Sequence, residues 1–173
     1  MSVPVIETTR LRLRGYTRND AEKRAGMWAD DRVRRFVGGG PVSTREEAWA
    51  KLLRIAGLWP LLGYGYWLIE EKESGAYVGE VGFADFHRDM VPSFGDAPEQ
   101  GWSLAPAMHG KGYAIEAAQA ALDWARQTLK AREYVCMIDP DNAPSLKVAG
   151  KLGYREFTRT TYKDAPIALL KTA

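Results

Sequence analysis

One cysteine and two histidines in 173 residues leave little soft chemistry to distribute. The lone Cys136 excludes an intrachain disulfide framework and any multi-cysteine metal site, and it fits a reducing compartment. The two scattered histidines form no recognisable ligand cluster, so chemistry without a metal is expected. No apolar run approaches the roughly 20 residues that span a bilayer. The opening Met-Ser-Val-Pro-Val-Ile-Glu has neither the basic nor the apolar region of a secretory signal. These absences point to a cytoplasmic protein without membrane contact. Internal repeats, low-complexity tracts and linkers are missing too. One domain over residues 1–173 is expected, burying roughly 70 % of its unfolded surface.

Net charge is small as well, at +2, but it is unevenly spread. Residues 1–60 hold twelve Lys/Arg against seven Asp/Glu. Arg10, Arg12 and Arg14 alternate with Leu11 and Leu13, and Arg32, Arg34 and Arg35 form a second group. Such clusters are either solvated edges or a surface that steers an acidic partner, such as a nucleotide cofactor or ribosomal RNA.

What is present reads as mixed α/β. Alternation over residues 7–14 predicts a strand. Asn19 or Asp20 predicts the cap of a helix that ends near Gly38-Gly39-Gly40. Ser43-Thr44-Arg45-Glu46 predicts a capping box opening a second helix through Leu58. Residues 64–70 and 76–86 read as a hairpin around Lys72-Glu73-Ser74-Gly75. Residues 87–98 read as loop and 99–104 as a strand halted by Pro106. Ile115, Ala118, Leu122, Ala125 and Leu129 recur as an apolar stripe, predicting a long helix after Gly112. Residues 134–138 read as a buried strand. Asp139-Pro140-Asp141-Asn142 then caps a helix over 143–152, which Gly153 ends. Residues 154–162 and 167–172 read as a final hairpin. The expected sheet is twisted and mostly antiparallel, with six to seven strands, about four helices, and one strand–helix–strand unit around 99–138.

The most informative stretch is Ala107-Met108-His109-Gly110-Lys111-Gly112-Tyr113-Ala114-Ile115-Glu116-Ala117. Its glycines allow tight bending and close approach to a ligand where a strand gives way to a helix. The first amides of that helix lack intrahelical partners and carry the positive end of its dipole, which suits a phosphate or pyrophosphate. A dinucleotide fingerprint is excluded, because the third small residue of Gly-x-Gly-x-x-Gly is Ile115 and the stretch lies late in the chain. If the strands over 99–104 and 134–138 are neighbours, this turn and the Asp139–Asn142 segment emerge at one sheet end.

In this order and spacing, the motifs resemble the GNAT superfamily of acyl-CoA-dependent N-acetyltransferases, particularly its RimJ/RimL-like branch. The resemblance runs through Ile6-Glu7-Thr8-Thr9-Arg10-Leu11-Arg12-Leu13-Arg14, Trp28-Ala29-Asp30-Asp31, Gly63-Tyr64-Gly65-Tyr66-Trp67 and Tyr77-Val78-Gly79-Glu80-Val81-Gly82-Phe83. Its decisive blocks are Glu99-Gln100-Gly101-Trp102, His109-Gly110-Lys111-Gly112-Tyr113-Ala114 with Glu116-Ala117, and Asp141-Asn142-Ala143-Pro144-Ser145 through Lys151-Leu152-Gly153-Tyr154. The resemblance implies a sheet with splayed central strands, between Leu104 and Val135, and acetyl-CoA as cosubstrate. Amides around His109, Gly110, Lys111, Gly112, Tyr113 and Ala114 would hold the CoA pyrophosphate; His109 replaces the Gln or Arg that usually opens this signature. Ser103 and Leu104 would pair with pantetheine, and Asn142 would open the second cofactor motif, cap its helix, or do both.

Acyl transfer to an amine needs a carboxylate to remove the ammonium proton, directly or through water. The resemblance makes Glu99 the first candidate and Glu80 the second. Asp85 and His87 are also in reach of the acceptor cleft, with a loop-edge role the alternative for His87. Many superfamily members carry a tyrosine as general acid seven residues after the Asn142 position, where this chain has Ala149. Ser145 is then a candidate to bond the CoA sulfur or relay a proton, unless it only satisfies the helix start. Direct thiolate expulsion is a further route, since a thiol has a pKa near 8.5. Trp28, Trp59, Tyr64 and Tyr66 lie on the acceptor side, lining a pocket or packing in the core. The implied acceptor is a primary amine, either a small molecule or a protein N-terminus, and the basic first third leans toward an acidic or ribosome-associated one. A non-catalytic acyl-CoA sensor is the alternative, nucleic-acid binding ranks last, and a monomer and a homodimer are equally compatible.

Overall fold

The N-terminal alternation makes two strands rather than one. In the computed structural model, which describes residues 2–37 and 40–172, β1 (Ile6–Glu7) and β2 (Leu11–Arg14) pair antiparallel. Thr8 N–H donates to Leu11 O at 2.9 Å and closes the turn between them. This split adds a strand to the expected number. Next come β3 (Tyr66–Glu71), β4 (Tyr77–Ala84), β5 (Glu99–Leu104), β6 (Val135–Ile138), β7 (Arg155–Tyr162) and β8 (Ala165–Lys171). They form one sheet in the order β1-β2-β3-β4-β5-β6-β8-β7, in which only the β5–β6 pair is parallel.

The helices also depart from the pattern in instructive ways. The first expected helix is α1 (Ala21–Ala29) and α2 (Asp31–Arg34), broken at Asp30, whose backbone is extended and whose side chain accepts Arg32 N–H at 2.9 Å. Asx-type bonding of this kind competes with helix continuation. The expected stop at the glycine triplet falls largely on Gly38 and Gly39, outside the described residues. The capping box is one residue later than expected: Thr44 and Glu47 exchange bonds of 2.8 and 3.2 Å at the start of α3 (Arg45–Ala56). A separate α4 (Leu58–Leu62) follows, ended by Gly63 at φ 77°. The stripe after Gly112 is α5 (Tyr113–Thr128), and α6 is Ala143–Lys151. Ala117, Ala118, Ala121, Leu122 and Ala125 are wholly buried, so small side chains bring α5 close to the sheet. No helix among the described residues is long and apolar enough to cross a membrane.

The sheet opens in its middle. β5 and β6 pair only at Glu99 and Val135, so the strands part from Gln100 and Cys136 onward, as expected. On the α5 side the opening is closed by Gln100, whose Nε2 donates to Ala118 O at 2.8 Å and whose Oε1 accepts from Tyr154 OH at 2.7 Å. Strand alternation turns Glu99, Gly101 and Ser103 to the other side.

The arginines of β2 are structural ties. Arg14 spans Asp20 (2.8 and 2.9 Å) and Glu70 (2.6 Å), and Arg12 lies 3.3 Å from Glu7. Burial alone would raise the Asp20 carboxyl, but the bonds from Arg14 and Thr17 outweigh it and bring it down to about 2. Because its folded pKa lies below its unfolded one, Asp20 stabilises the fold above pH 4. That contribution, about 2 kcal/mol, is lost as pH falls toward 2. Urea titrations at pH 6 and pH 3 are expected to show a smaller loss of stability for Asp20→Asn than for the wild type. Equal losses would remove Asp20 from the acid transition.

Candidate active site

After β5 a single 3-10 turn over Pro106–Met108 leads to Gly110 and Gly112, with φ of 74° and 79°. Side chains rarely adopt such angles, which explains the two glycines. The first intrahelical bond of α5 runs from Glu116 N–H to Gly112 O at 3.3 Å. Among the described residues, no backbone N–H from Gly110 through Ile115 has an acceptor. These amides and the positive end of a 16-residue helix make a seat for an anion, beside the end of β5. The His109 ring turns back instead, with Nε2–H donating to Leu104 O at 3.0 Å. The Tyr113 ring is buried, its hydroxyl bonded to Glu71, so Tyr113 offers the seat its backbone amide. Lys111 is exposed, with Nζ 5.8 Å from the Tyr113 ring.

Sequence reasoning missed what shapes this turn. Arg10 NH1 donates to Lys111 O at 2.8 Å, and its Nε and NH2 both reach Glu116 Oε2 at 2.7 Å. Glu116 Oε1 accepts from Thr8 OH at 2.6 Å and Arg10 N–H at 2.9 Å. In a trans peptide the carbonyl and the following N–H point opposite ways. Gripping the Lys111 carbonyl therefore turns Gly112 N–H away from Arg10. The partners are more than 100 residues apart in the chain, and no local pattern links them.

At the start of α6, Asn142 Oδ1 accepts Ser145 N–H at 3.2 Å, so Asn142 is a helix cap. Ser145 is half-buried one turn before Ala149, which is wholly buried. Cys136 is also buried, and burial pushes its thiol up, away from nucleophilic character.

The two candidate carboxylates differ sharply. Glu99 is buried at the start of β5, and its two oxygens accept from Arg88 Nε and NH2 at 2.6 and 2.7 Å. Burial works against the Arg88 charge, but Glu99 outweighs it and raises the guanidinium pKa. The rings of Phe86 and Tyr162 flank that guanidinium at 4.8 and 5.1 Å. Glu99 also lines a cleft of about 440 Å³ with Asp85, His87, Asp89, Phe94 and Asp96. Carboxylates outnumber cations there, an environment suited to an ammonium group. His87 stands at its mouth, 88 % exposed, with φ 45° and its N–H bonded to Asp85 Oδ1 at 3.0 Å. Ring Nε2 lies 3.5 Å from the other Asp85 oxygen.

Glu80 is in no such place. It accepts from Arg24 at 2.7 and 3.1 Å, Tyr16 OH at 2.6 Å and Trp28 Nε1 at 3.2 Å. Four donors fill the roughly four lone-pair sites of a carboxylate. The expected second base is therefore a buried tie between β4 and α1, with no capacity left for a substrate proton. Trp28 belongs to that tie. Trp59 is a second correction: it is 3 % exposed, bonded to Tyr66 O at 3.0 Å and packed edge-on against Trp67 and Trp124. It forms core, not a pocket wall. Tyr66 is buried on the cleft-facing side of the sheet, its hydroxyl against Gly101 of β5. Ser103, half-buried, lies on the same side, while the Leu104 side chain is buried.

Comparison with known proteins matches this arrangement. Residues 10–155 fit the family described as "Acetyltransferase (GNAT) domain". The N-acetyltransferase p20 of Bacillus licheniformis is 26 % identical over 151 residues, covering 87 % of this chain and 82 % of that protein. A GnaT-family acetyltransferase from Bordetella pertussis is 30 % identical and superposes with a TM-score of 0.86, covering 98 % of this chain and 99 % of the other. A spermidine N-acetyltransferase from Vibrio cholerae, solved with CoA and spermine, shares the fold at 15 % identity and a TM-score of 0.75, over 95 % of each chain. The sheet that opens beside a free row of amides is that of the GNAT acetyltransferases, and the chain belongs to that family.

Proposed function

We propose that this protein transfers an acetyl group from acetyl-CoA directly to a primary amine, with both substrates bound at once. The observation that carries the reading is the row of unpaired amides from Gly110 to Ile115, next to the opening between β5 and β6. These amides hold the diphosphate, and the exposed Lys111 adds charge nearby. Ser103 and Leu104 offer backbone to pantetheine, and Asn142 and Ser145 line the other lip. Each charge-assisted bond is worth about 1.5–3 kcal/mol. The amine enters the acidic cleft as an ammonium and loses its proton toward Glu99, directly or through water, with Asp85 and His87 at the mouth leading to solvent. Attack on the thioester then expels the thiolate, the remaining amine proton leaves by the same route to solvent, and no covalent enzyme intermediate is required. An alkyl ammonium, on a small molecule or a protein N-terminus, fits the charge of this cleft.

The buried Ala149 supports a second reading, a CoA-binding module without turnover. Titration calorimetry with CoA and thiol release from acetyl-CoA with a panel of amines and N-terminal peptides separate the two. CoA binding with amine-dependent thiol release is expected. Binding without release for any acceptor would favour the sensor, and no binding would end both readings.

A further inference from the structure

Tyr66 is 8 % exposed, and among the described residues its hydroxyl makes no hydrogen bond to the protein while its oxygen keeps contact with solvent. The hydroxyl is therefore free to donate to a bound group. The ring starts on β3, where Tyr66 lies opposite Gly82 of β4, and Gly82 lies opposite Gly101 of β5. It therefore crosses β4 and sets its oxygen over Gly101, only 2.1 Å from where a Cβ would stand. Any side chain at position 101 would evict it. Gly101 is two residues past Glu99, the last point at which β5 and β6 are paired, so the hydroxyl sits where the sheet begins to open. It lies on the side of β5 shared with Glu99.

We propose that the Tyr66 hydroxyl is a catalytic hydrogen-bond donor, supplied from β3 to the thioester at the sheet opening. The inference rests on the acetyltransferase reading above. As the amine lone pair forms the C–N bond, the carbonyl π electrons move to oxygen. Collapse re-forms the carbonyl and breaks C–S, leaving the electron pair on sulfur, while the second proton, on the now cationic nitrogen, leaves by way of Glu99 and water to solvent. Negative charge grows first on oxygen and then on sulfur, and a donor fixed at this point lowers its energy. The hydroxyl keeps its proton throughout: burial first, then the charges of Glu99 and Glu80, push the phenol well above its ordinary range. It is thus a donor rather than a proton source. This is the group that α6 does not provide, since Ala149 carries no donor and lies in the core.

Tyr66→Phe tests the idea cleanly, because it removes an oxygen with no protein partner and keeps the ring. The expected result is a fall in kcat of about a hundredfold, with KM for acetyl-CoA within about twofold and an undiminished melting temperature. A purely structural tyrosine would instead lower the melting temperature or raise KM while sparing kcat. Wild-type kcat in Tyr66→Phe, or a loss confined to KM or stability, overturns the inference alone. A wild-type protein that neither binds CoA nor releases thiol overturns the acetyltransferase reading and this inference with it.

Discussion

Glu99→Gln is expected to lower turnover with an amine acceptor by about a hundredfold while leaving CoA affinity within about twofold. Gln keeps the shape of the side chain and one acceptor oxygen for Arg88, but it has no capacity to take a proton. Its NH2 group also faces a guanidinium that now lacks a counter-charge. The loss should therefore appear in acceptor turnover. CoA binding serves as the internal control, because the amides of Gly110 to Ile115 belong to a different element. Steady-state thiol release, combined with calorimetry, reads both effects. Wild-type turnover in Glu99→Gln would remove this carboxylate from proton transfer.

Removing the other carboxylate should damage the fold instead. Glu80→Ala leaves Arg24, 7 % exposed, with a buried charge and no partner, and strips Tyr16 OH and Trp28 Nε1 of their acceptor. Breaking one side of a buried pair costs about 3–5 kcal/mol. For a chain of this size the melting temperature should drop by about 10 °C. Glu80→Gln should cost less, since it still accepts from two donors. Thermal unfolding measures both, and a shift of about 2 °C or less for Glu80→Ala would show that the cluster is not a stabilising tie. In the pair of experiments, one glutamate should mainly affect rate and the other mainly stability, although both sit on adjacent strands and the same side of the sheet.

The difference between these glutamates marks the limit of what the chain alone discloses. Both lie in strands, and both suit a base by residue type. Only their partners separate them, Arg88 in one case and Arg24 with Tyr16 and Trp28 in the other. None of those partners is within ten residues in the chain. Trp59 was ambiguous for the same reason, because an aromatic residue reads alike as pocket wall or core until its neighbours are known. The split of residues 7–14 into two strands and the break at Asp30 were missed for a local reason. Polar side chains near a turn, here Thr8 and Asp30, bond to nearby backbone and interrupt a periodic pattern without changing it.

Local rules governed everything that depends on nearest neighbours. The apolar stripe of α5, the positive-φ glycines ahead of it, the Asn142 cap and the antiparallel hairpin of β3 and β4 all follow from side-chain spacing and backbone freedom. Together they located the run of unpaired amides ahead of α5 within a few residues. Tertiary packing decided the rest: where β5 and β6 part, how Arg10 and Glu116 orient the Gly110–Gly112 turn, which carboxylate faces the cleft, and why a tyrosine from β3 ends over a glycine of β5. Those features pair groups brought together by the order of strands. Their energies depend on burial and distance, quantities that no spacing along the chain encodes.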